Sequence, residues 1–230
     1  MKSDLPKVLH TINDRPLIMY LLDTLVELNF AKIVVVIGHE GEQVKTALKD
    51  YPVEFVWQHN QLGTGDAVKS ARTVLEGFDG ITMVAAGDVP FLSAGSIEEL
   101  VAEHAASGAA ATCLSAVPKD PKQYGRIIRD GSGNRLKEIV EFKDASDEIR
   151  AIREVNSGTF CFDNLRLFEA LDEIRDDNVQ GEYYLTDVVK VLHNKGLIVS
   201  VVKARNPEEV EGINSVEELT SLASVFGDKL

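Results

Sequence analysis

A run of β-branched residues, Ile33-Val34-Val35-Val36-Ile37, constrains this sequence most, because it ends in Gly38 and lies between two segments of helical periodicity. Such a run is typical of a parallel strand that is buried on both faces. The segment before it, residues 17–28, follows Pro16, a residue that suits the first turn of a helix. The segment after it covers residues 42–49. A strand between two helices predicts βαβ units for this part of the chain.

The same alternation continues to residue 117. It predicts strands at 53–57, 81–86 and 109–117 and helices at 65–75 and 96–106. Right-handed crossovers between parallel strands would place helices on both faces of the sheet. The fold class is therefore α/β, with a Rossmann-like sheet.

The second half of the chain has a different pattern. Two strand-like runs, 125–129 and 136–141, flank the turn-rich sequence Asp130-Gly131-Ser132-Gly133-Asn134, which is typical of a hairpin. The remaining elements are predicted as strands at 154–162 and 198–202 and helices at 165–174, 185–192 and 216–226. The hairpin predicts a small antiparallel excursion from the parallel sheet.

Composition excludes several classes of protein. The chain has 230 residues, of which 44% are hydrophobic and 27% charged, as expected for a globular domain. Its net charge of −13 disfavours binding to a nucleic-acid backbone, although a small phosphorylated ligand needs only a few local donors. No apolar stretch approaches the ~20 residues of a membrane span. No apolar signal region follows the N-terminus, and we expect a cytoplasmic protein.

The cysteines and histidines indicate no metal or disulfide chemistry. Cys113 and Cys161 each lie in an apolar run and are predicted to be buried, reduced thiols. A zinc site is not expected, because no metal-ligand spacing relates the five histidines, His10, His39, His59, His104 and His193. Neither a Gly-x-Ser-x-Gly elbow nor a Walker lysine loop is present.

Three segments are candidates for a ligand site at the carboxyl ends of the strands. Residues 58–67 follow a strand and open a helix, an arrangement that serves either a phosphate or base site or a plain turn. Val68 stands where a dinucleotide fingerprint requires a third glycine. Asp88 follows a buried strand and suits either Mg²⁺ binding or a cap. Asn214 is a candidate second ligand of that metal, or another cap.

Eight short segments together resemble a known family. They are SDLPKVL (3–9), QLGTG (61–65), GDVP (87–90), YGRI (124–127), IVEFKD (139–144), EVNSG (154–158), QGEYYLTD (180–187) and VEGIN (210–214). In this order they span essentially the whole chain. The chain resembles the pyrophosphorylase, or uridyltransferase, domain of the bacterial bifunctional N-acetylglucosamine-1-phosphate uridyltransferases, within the sugar-phosphate nucleotidyltransferase family.

The resemblance implies a Mg²⁺-dependent enzyme that forms UDP-N-acetylglucosamine and pyrophosphate from UTP and N-acetylglucosamine 1-phosphate. This reaction belongs to nucleotide-sugar biosynthesis for cell-wall peptidoglycan. The antiparallel excursion would cover the sugar side of the site. The implied partners are these small substrates, without nucleic acid or membrane, and the implied assembly is a monomer or weak oligomer.

The resemblance also implies roles for residues at the nucleotide end. Gln58 would read the edge of the uracil, with Gly63 and Thr64 packed around the base and ribose. Asp88 and Asn214 would hold Mg²⁺.

Other matched positions would contact the sugar and the phosphates. Lys7 would contact the charged phosphates, and Lys7 and Asp88 would be the catalytic residues. Gly125, Glu141, Asn156 and Thr186 would bind the N-acetylglucosamine. Each position also has a structural alternative: a solvated lysine, an exposed strand carboxylate, or turn and cap residues.

The chain departs from the family pattern at both ends. The family begins with a strand and the signature Leu-Ala-Ala-Gly-x-Gly-Thr-x-Met, and Met1 matches the last residue of that signature. We therefore expect residues 1–230 to form a single nucleotidyltransferase domain that lacks the first strand and the glycine-rich loop. UTP binding would then be severely impaired. No hexapeptide repeats follow, so no acetyltransferase β-helix is expected.

Three other functions are alternatives for this sequence. A related nucleotidyltransferase would use another sugar phosphate or base. A catalytically impaired, nucleotide-sugar-binding protein of the same fold would account for the missing loop. A nicotinamide-dependent oxidoreductase is disfavoured by the missing third glycine.

Overall fold

The computed structural model describes residues 5–133, 135–213 and 218. Its strands are β1 (Thr11–Ile12), β2 (Arg15–Pro16), β3 (Val34–Ile37), β4 (Glu54–Trp57), β5 (Ile81–Val84), β6 (Ala111–Ala116), β7 (Arg126–Arg129), β8 (Leu136–Val140), β9 (Val155–Asp163) and β10 (Val199–Lys203). Its α-helices are α1 (Leu17–Glu27), α2 (Gly41–Ala47), α3 (Thr64–Ser70), α4 (Arg72–Leu75), α5 (Ala94–Ser107), α6 (Asp147–Arg150), α7 (Asn164–Leu171) and α8 (Asp187–Asn194). Two 3-10 turns cover Lys7–Leu9 and Pro207–Val210.

The largest sheet has six strands and mixed strand directions. Its order is β10-β6-β9-β7-β8, and β5 pairs with β9 as well. β10 runs parallel to β6, whereas β9 is antiparallel to both β5 and β6. The α/β class is confirmed, but the prediction of a parallel sheet is only partly correct, because β9 comes from the second half of the chain and lies between strands of the first half.

Helices cover both faces of this sheet, as predicted. Successive side chains of a strand point to opposite faces. Phe160 and Phe162 pack in one cluster with Leu171 of α7, whereas Cys161 packs in another with Leu100 of α5. Alternation along β9 therefore supplies apolar side chains to two cores.

The hairpin prediction is confirmed by β7 and β8. These strands pair antiparallel, with Arg126 opposite Val140. The hairpin is continuous with the main sheet, because Arg126 also pairs with Val155 of β9. The antiparallel excursion is thus an extension of the sheet's edge.

A separate pair of parallel strands, β3 and β4, carries the nucleotide-side segment. Val35 and Ile37 are buried, but Val34 and Val36 are only half-buried. The prediction that this strand is buried on both faces is therefore wrong for the described residues. Among them β4 is the only strand that pairs with β3, and the buried face packs in a cluster with Leu22 of α1.

The helix predicted at 65–75 is divided into α3 and α4. At Ala71 the backbone N–H donates to the carbonyl of Val68, three residues back, at 3.0 Å. A bond of this type tightens the turn and interrupts a regular α-helix. Of the helix predicted at 216–226, only residue 218 belongs to the described residues.

Both cysteines have the environment that the sequence predicts. Cys113 and Cys161 are buried and free. Burial raises the pKa of the Cys161 thiol to about 12, so this thiol is unreactive at neutral pH. Among the described residues, no helix combines the length and the apolar character that crossing a membrane requires.

Candidate functional site

Asp88 lies in the segment after β5 and forms an ion pair with Lys7, at the start of the first 3-10 turn. The backbone oxygen of Asp88 accepts a hydrogen bond from the N–H of Ile213 at 3.1 Å. Gly212 lies against the same carboxylate, since a Cβ there would be 3.5 Å from Oδ2 of Asp88. The segment that leads to Asn214 therefore lies beside Asp88, while Asn214 itself lies outside the described residues.

The chemistry of this pair suits Mg²⁺ bound together with phosphates. In the described part of the chain, no three His, Cys, Asp or Glu side chains group as a metal site would require. Mg²⁺ in phosphate-transferring sites is commonly held by one or two carboxylates plus substrate oxygens, and it keeps several waters. A single carboxylate such as Asp88, next to a lysine, fits that requirement.

The Gln58 side chain, directly after β4, is oriented by two hydrogen bonds. Its Nε2 donates to the backbone oxygen of Gly63 at 3.0 Å and to Oδ2 of Asp66 at 2.7 Å. Asp66 lies in the first turn of α3, where a negative charge is favourable. Gln58 and Gly63, two of the predicted nucleotide-side residues, are therefore in direct contact.

The loop that carries Gly63 is fastened to a distant segment. Gly63 has φ +117, and a Cβ there would lie only 2.7 Å from the backbone oxygen of Tyr183, so glycine is required. The N–H of Tyr183 donates to the backbone oxygen of Leu62 at 2.8 Å. Thr64 Oγ1 accepts a hydrogen bond from the N–H of Leu185 at 3.0 Å. This contact connects the nucleotide-side loop to Thr186, the next residue along the chain.

The four predicted sugar-binding residues lie together. Thr186 Oγ1 donates to Oε1 of Glu141 at 2.9 Å. The backbone N–H of Asn156 donates to the backbone oxygen of Gly125 at 2.9 Å. A Cβ at Gly125 would be 3.2 Å from Oε2 of Glu141, so the carboxylate lies directly over this glycine.

The hairpin explains part of this arrangement. Because Arg126 pairs with Val140, the residues just outside that pair, Gly125 and Glu141, come together at the open end of the hairpin. Burial raises the pKa of the Glu141 carboxyl; the hydrogen bond from Thr186 opposes this shift only in part.

Two residues outside the predicted set support this end of the hairpin. Arg126 is 2% exposed and donates to the backbone oxygens of Lys122 at 3.1 Å and Arg150 at 3.2 Å. Tyr124 Oη accepts a hydrogen bond from the N–H of Gly212 at 2.9 Å. These contacts connect the predicted sugar-binding residues to the segment that contains Asp88. The sequence signal for them was weak: an arginine and a tyrosine on either side of a glycine.

Comparison with known proteins finds a matching family and related sequences. Residues 1–187 match the family model described as MobA-like NTP transferase domain. Over all of its length the chain is 43% identical to Bifunctional protein GlmU of Geobacillus sp. (strain WCH70) and 44% identical to that of Bacillus subtilis (strain 168). These alignments cover 50% of each relative, so the chain spans about half the length of the relatives it matches.

A solved structure shows the same fold. UDP-glucose pyrophosphorylase complexed with UDP-glucose aligns with a TM-score of 0.75 at 17% identity, covering 98% of this chain and 92% of that one. Together, the matches confirm the resemblance that the eight sequence segments indicated.

Proposed function

The chain belongs to the MobA-like NTP transferase domain family, and from this premise we propose that it forms UDP-N-acetylglucosamine and pyrophosphate from UTP and N-acetylglucosamine 1-phosphate. The observation that carries the proposal is the junction between the two groups of candidate residues. Thr64 binds the backbone of Leu185, and the adjacent Thr186 binds Glu141. A nucleotide-side loop and a sugar-side carboxylate are thereby held at neighbouring positions, as a reaction between two bound substrates requires.

In the proposed reaction, an oxygen of the sugar 1-phosphate attacks the α-phosphorus of UTP. A new P–O bond forms on one side while the bond to the β-phosphate breaks on the other, and pyrophosphate leaves with the electron pair. The attacking phosphate oxygen is already ionised, so no general base is needed. Positioning of the substrates and electrostatic stabilisation then supply the catalysis.

In this proposal Asp88 would hold Mg²⁺, together with Asn214. When bound, Mg²⁺ neutralises negative charge on the phosphates during transfer. Lys7, already paired with Asp88, would donate to a phosphate oxygen once substrate is bound. Both Lys7 and Asp88 are partly exposed, at 37% and 22% of their side chains, so an incoming phosphate can reach them.

The remaining candidate residues would orient the two substrates. Glu141 and Asn156 would meet hydroxyl and acetamide groups of the sugar, with Gly125 and Thr186 lining the same space. Gln58 would contact the base, and Gly63 and Thr64 would pack beside the base and ribose.

The proposal also includes the domain organisation and location. Residues 1–230 would act as one nucleotidyltransferase domain. We place this reaction in the cytoplasm, consistent with two buried cysteines that are both free.

The test is pyrophosphate release from UTP and N-acetylglucosamine 1-phosphate with Mg²⁺, with other sugar phosphates and nucleotides as comparisons. It uses the 230-residue chain and a second version preceded by the family's strand and glycine-rich loop. Release that prefers these two substrates supports the proposal. Preference for another pair assigns a related nucleotidyltransferase, and silence of both folded proteins assigns a ligand-binding protein without this activity.

Substitution of the ion pair sharpens the test in whichever version is active. Lys7→Ala and Asp88→Asn should each lower kcat by about 10²–10³-fold, the size of effect seen when one group that stabilises transition-state charge is removed. In the double variant kcat should fall by less than the product of the two single decreases, because the side chains contact each other.

Lys32→Ala is the matched control. Lys32 also pairs with a carboxylate, that of Glu54, but it lies before β3, at the opposite end of the strand pair from Gln58. Its removal should leave kcat within about twofold, because an exposed ion pair contributes little to stability and Lys32 has no proposed role in the reaction. An equal loss of activity in K7A and K32A would contradict the assigned role.

A further inference from the structure

Asp66 controls which way the amide of Gln58 faces. Both hydrogens of Nε2 have acceptors, the backbone oxygen of Gly63 at 3.0 Å and the carboxylate of Asp66 at 2.7 Å. An amide has two donor hydrogens on nitrogen and acceptor capacity only on oxygen. With the nitrogen engaged in this way, the group that Gln58 can offer to a ligand is its oxygen, Oε1.

Rotation of the amide by 180° is disfavoured by the same two neighbours. The rotated amide would direct Oε1 at the Gly63 carbonyl and the Asp66 carboxylate, both of which are acceptors. Two hydrogen bonds would be lost, one of them to a charged group and therefore stronger than average. The orientation of Gln58 thus follows from its surroundings and depends on the charge of Asp66.

We propose that Asp66 is a positioning residue that makes the site selective for a uracil base. A presented amide oxygen accepts a hydrogen bond from the N3–H of uracil. Cytosine carries an unprotonated N3 at that place, so two acceptors would face each other and binding would be weaker. This inference rests on the proposed function, because it assumes that Gln58 meets the base.

The decisive variant is Asp66→Asn, which has the same shape but no charge. Its Nδ2 can donate to Oε1 of Gln58, so residue 66 no longer opposes the rotated amide, which presents Nε2 to N3 of cytosine. Only the Gly63 carbonyl then still favours the original orientation. Asp66→Ala removes the acceptor but leaves the Gly63 carbonyl, which still favours the original orientation. Selectivity should therefore fall in both variants.

The measurement is the equilibrium affinity for UTP and for CTP, by calorimetry in the presence of Mg²⁺, of the 230-residue chain and of the version preceded by the family's strand and glycine-rich loop. The preference for UTP should fall about tenfold in D66N, which corresponds to the loss of one hydrogen bond to a charged group. Asp79→Asn, the same chemical change at an exposed position, serves as the matched control and should keep the preference of the parent. Circular dichroism establishes that each variant is folded.

The outcomes separate this inference from the proposed function. A parent that prefers UTP, with the preference reduced in D66N and kept in D79N, supports the role of Asp66. A parent that prefers UTP, with the preference unchanged in folded D66N and D66A, overturns it while the proposed function stands. Binding of neither nucleotide by either version, or no preference in the parent, overturns both the uridylyl assignment and this inference.

Discussion

The six-stranded sheet and the β3–β4 pair differ in how they hold the residues at their ends. In the large sheet, β9 is paired with β5, β6 and β7, and all but two of its nine residues are buried. In the small sheet, β3 alternates between buried and half-buried residues. Strand pairing therefore positions Gly125, Glu141 and Asn156. The nucleotide-side loop is positioned by hydrogen bonds to the distant segment Tyr183-Tyr184-Leu185. Both regions depend on contacts between residues far apart in the chain, made by strand pairing in one and by hydrogen bonds between loops in the other.

The largest effect should come from the core of the large sheet. Phe160→Ala should lower the free energy of unfolding by about 3–5 kcal/mol, because Phe160 is 1% exposed and its removal leaves a cavity. Val36→Ala in β3 should cost about 1 kcal/mol, since that side chain is only half-buried. Urea denaturation measures both. Leu165→Ala, at a side chain 63% exposed, is the control and should change stability by less than about 0.5 kcal/mol.

Equal decreases in the free energy of unfolding of F160A and V36A would contradict the difference in packing between the two sheets. They would mean that β3 is packed as tightly as β9 in solution, and that a further element covers its half-buried face.

A smaller effect is expected at Glu154, the residue before β9, which pairs with Arg129 of β7 and accepts a hydrogen bond from Ser115 of β6. Glu154 accepts hydrogen bonds from Arg129 at 2.6 and 2.9 Å and from Ser115 Oγ at 2.6 Å. Burial opposes ionisation of Glu154, but the bonds from Arg129 and Ser115 outweigh it and hold the pKa of the carboxyl below its ordinary value. At pH 7, Glu154→Gln should destabilise the protein by about 1–3 kcal/mol, because Arg129 loses a charged partner.

The pH dependence of this loss provides the test. A lowered pKa in the folded state adds stability above the ordinary carboxyl pKa of 4.5, and that stability disappears as the pH falls through the folded value. The difference between parent and E154Q should therefore shrink below pH 4.5. Glu54→Gln, at the exposed Lys32–Glu54 pair of the small sheet, should change stability by less than about 0.5 kcal/mol. A loss in E54Q as large as that in E154Q would contradict the comparison.

The smallest effect, of opposite sign, is expected at Glu141. Burial raises the pKa of this carboxyl above the ordinary value of 4.5, so the folded state holds the proton more tightly than the unfolded state. Stability from the protonated form is present below pH 4.5 and is lost as the pH rises through the folded value. At pH 7, Glu141→Gln should therefore be more stable than the parent, by less than about 1 kcal/mol.

Thermal unfolding at pH 4 and pH 7 measures this change, with exposed Glu76→Gln as the control. The gain should appear in E141Q at pH 7 and vanish at pH 4, and E76Q should show none at either pH. The same variant should bind the sugar phosphate more weakly, since Glu141 is one of the residues proposed to contact the sugar. Lower stability of E141Q at pH 7 would show that the ionised carboxylate is stabilised by its surroundings.

Much of this architecture follows from local patterns in the sequence. Apolar periodicity predicted the α/β class, and the turn residues between the two runs predicted the β7–β8 hairpin. That hairpin explains why Gly125 and Glu141 meet, because antiparallel register brings residues outside a terminal pair together. The eight matched segments contain every candidate residue except Gln58, which lies three positions before the second segment.

Only the tertiary structure decided which of these segments touch. Periodicity records which face of a strand is apolar, but it contains no information about the neighbouring strand; the placement of β9 between β5 and β6 was therefore not predictable. The half-burial of β3 has the same origin, since it depends on what pairs with that strand. The bonds of Gln58 to Asp66 and of Thr64 to Leu185 join residues whose motifs are unremarkable separately. Their chemistry arises from distances that folding creates, and local sequence preferences do not encode those distances.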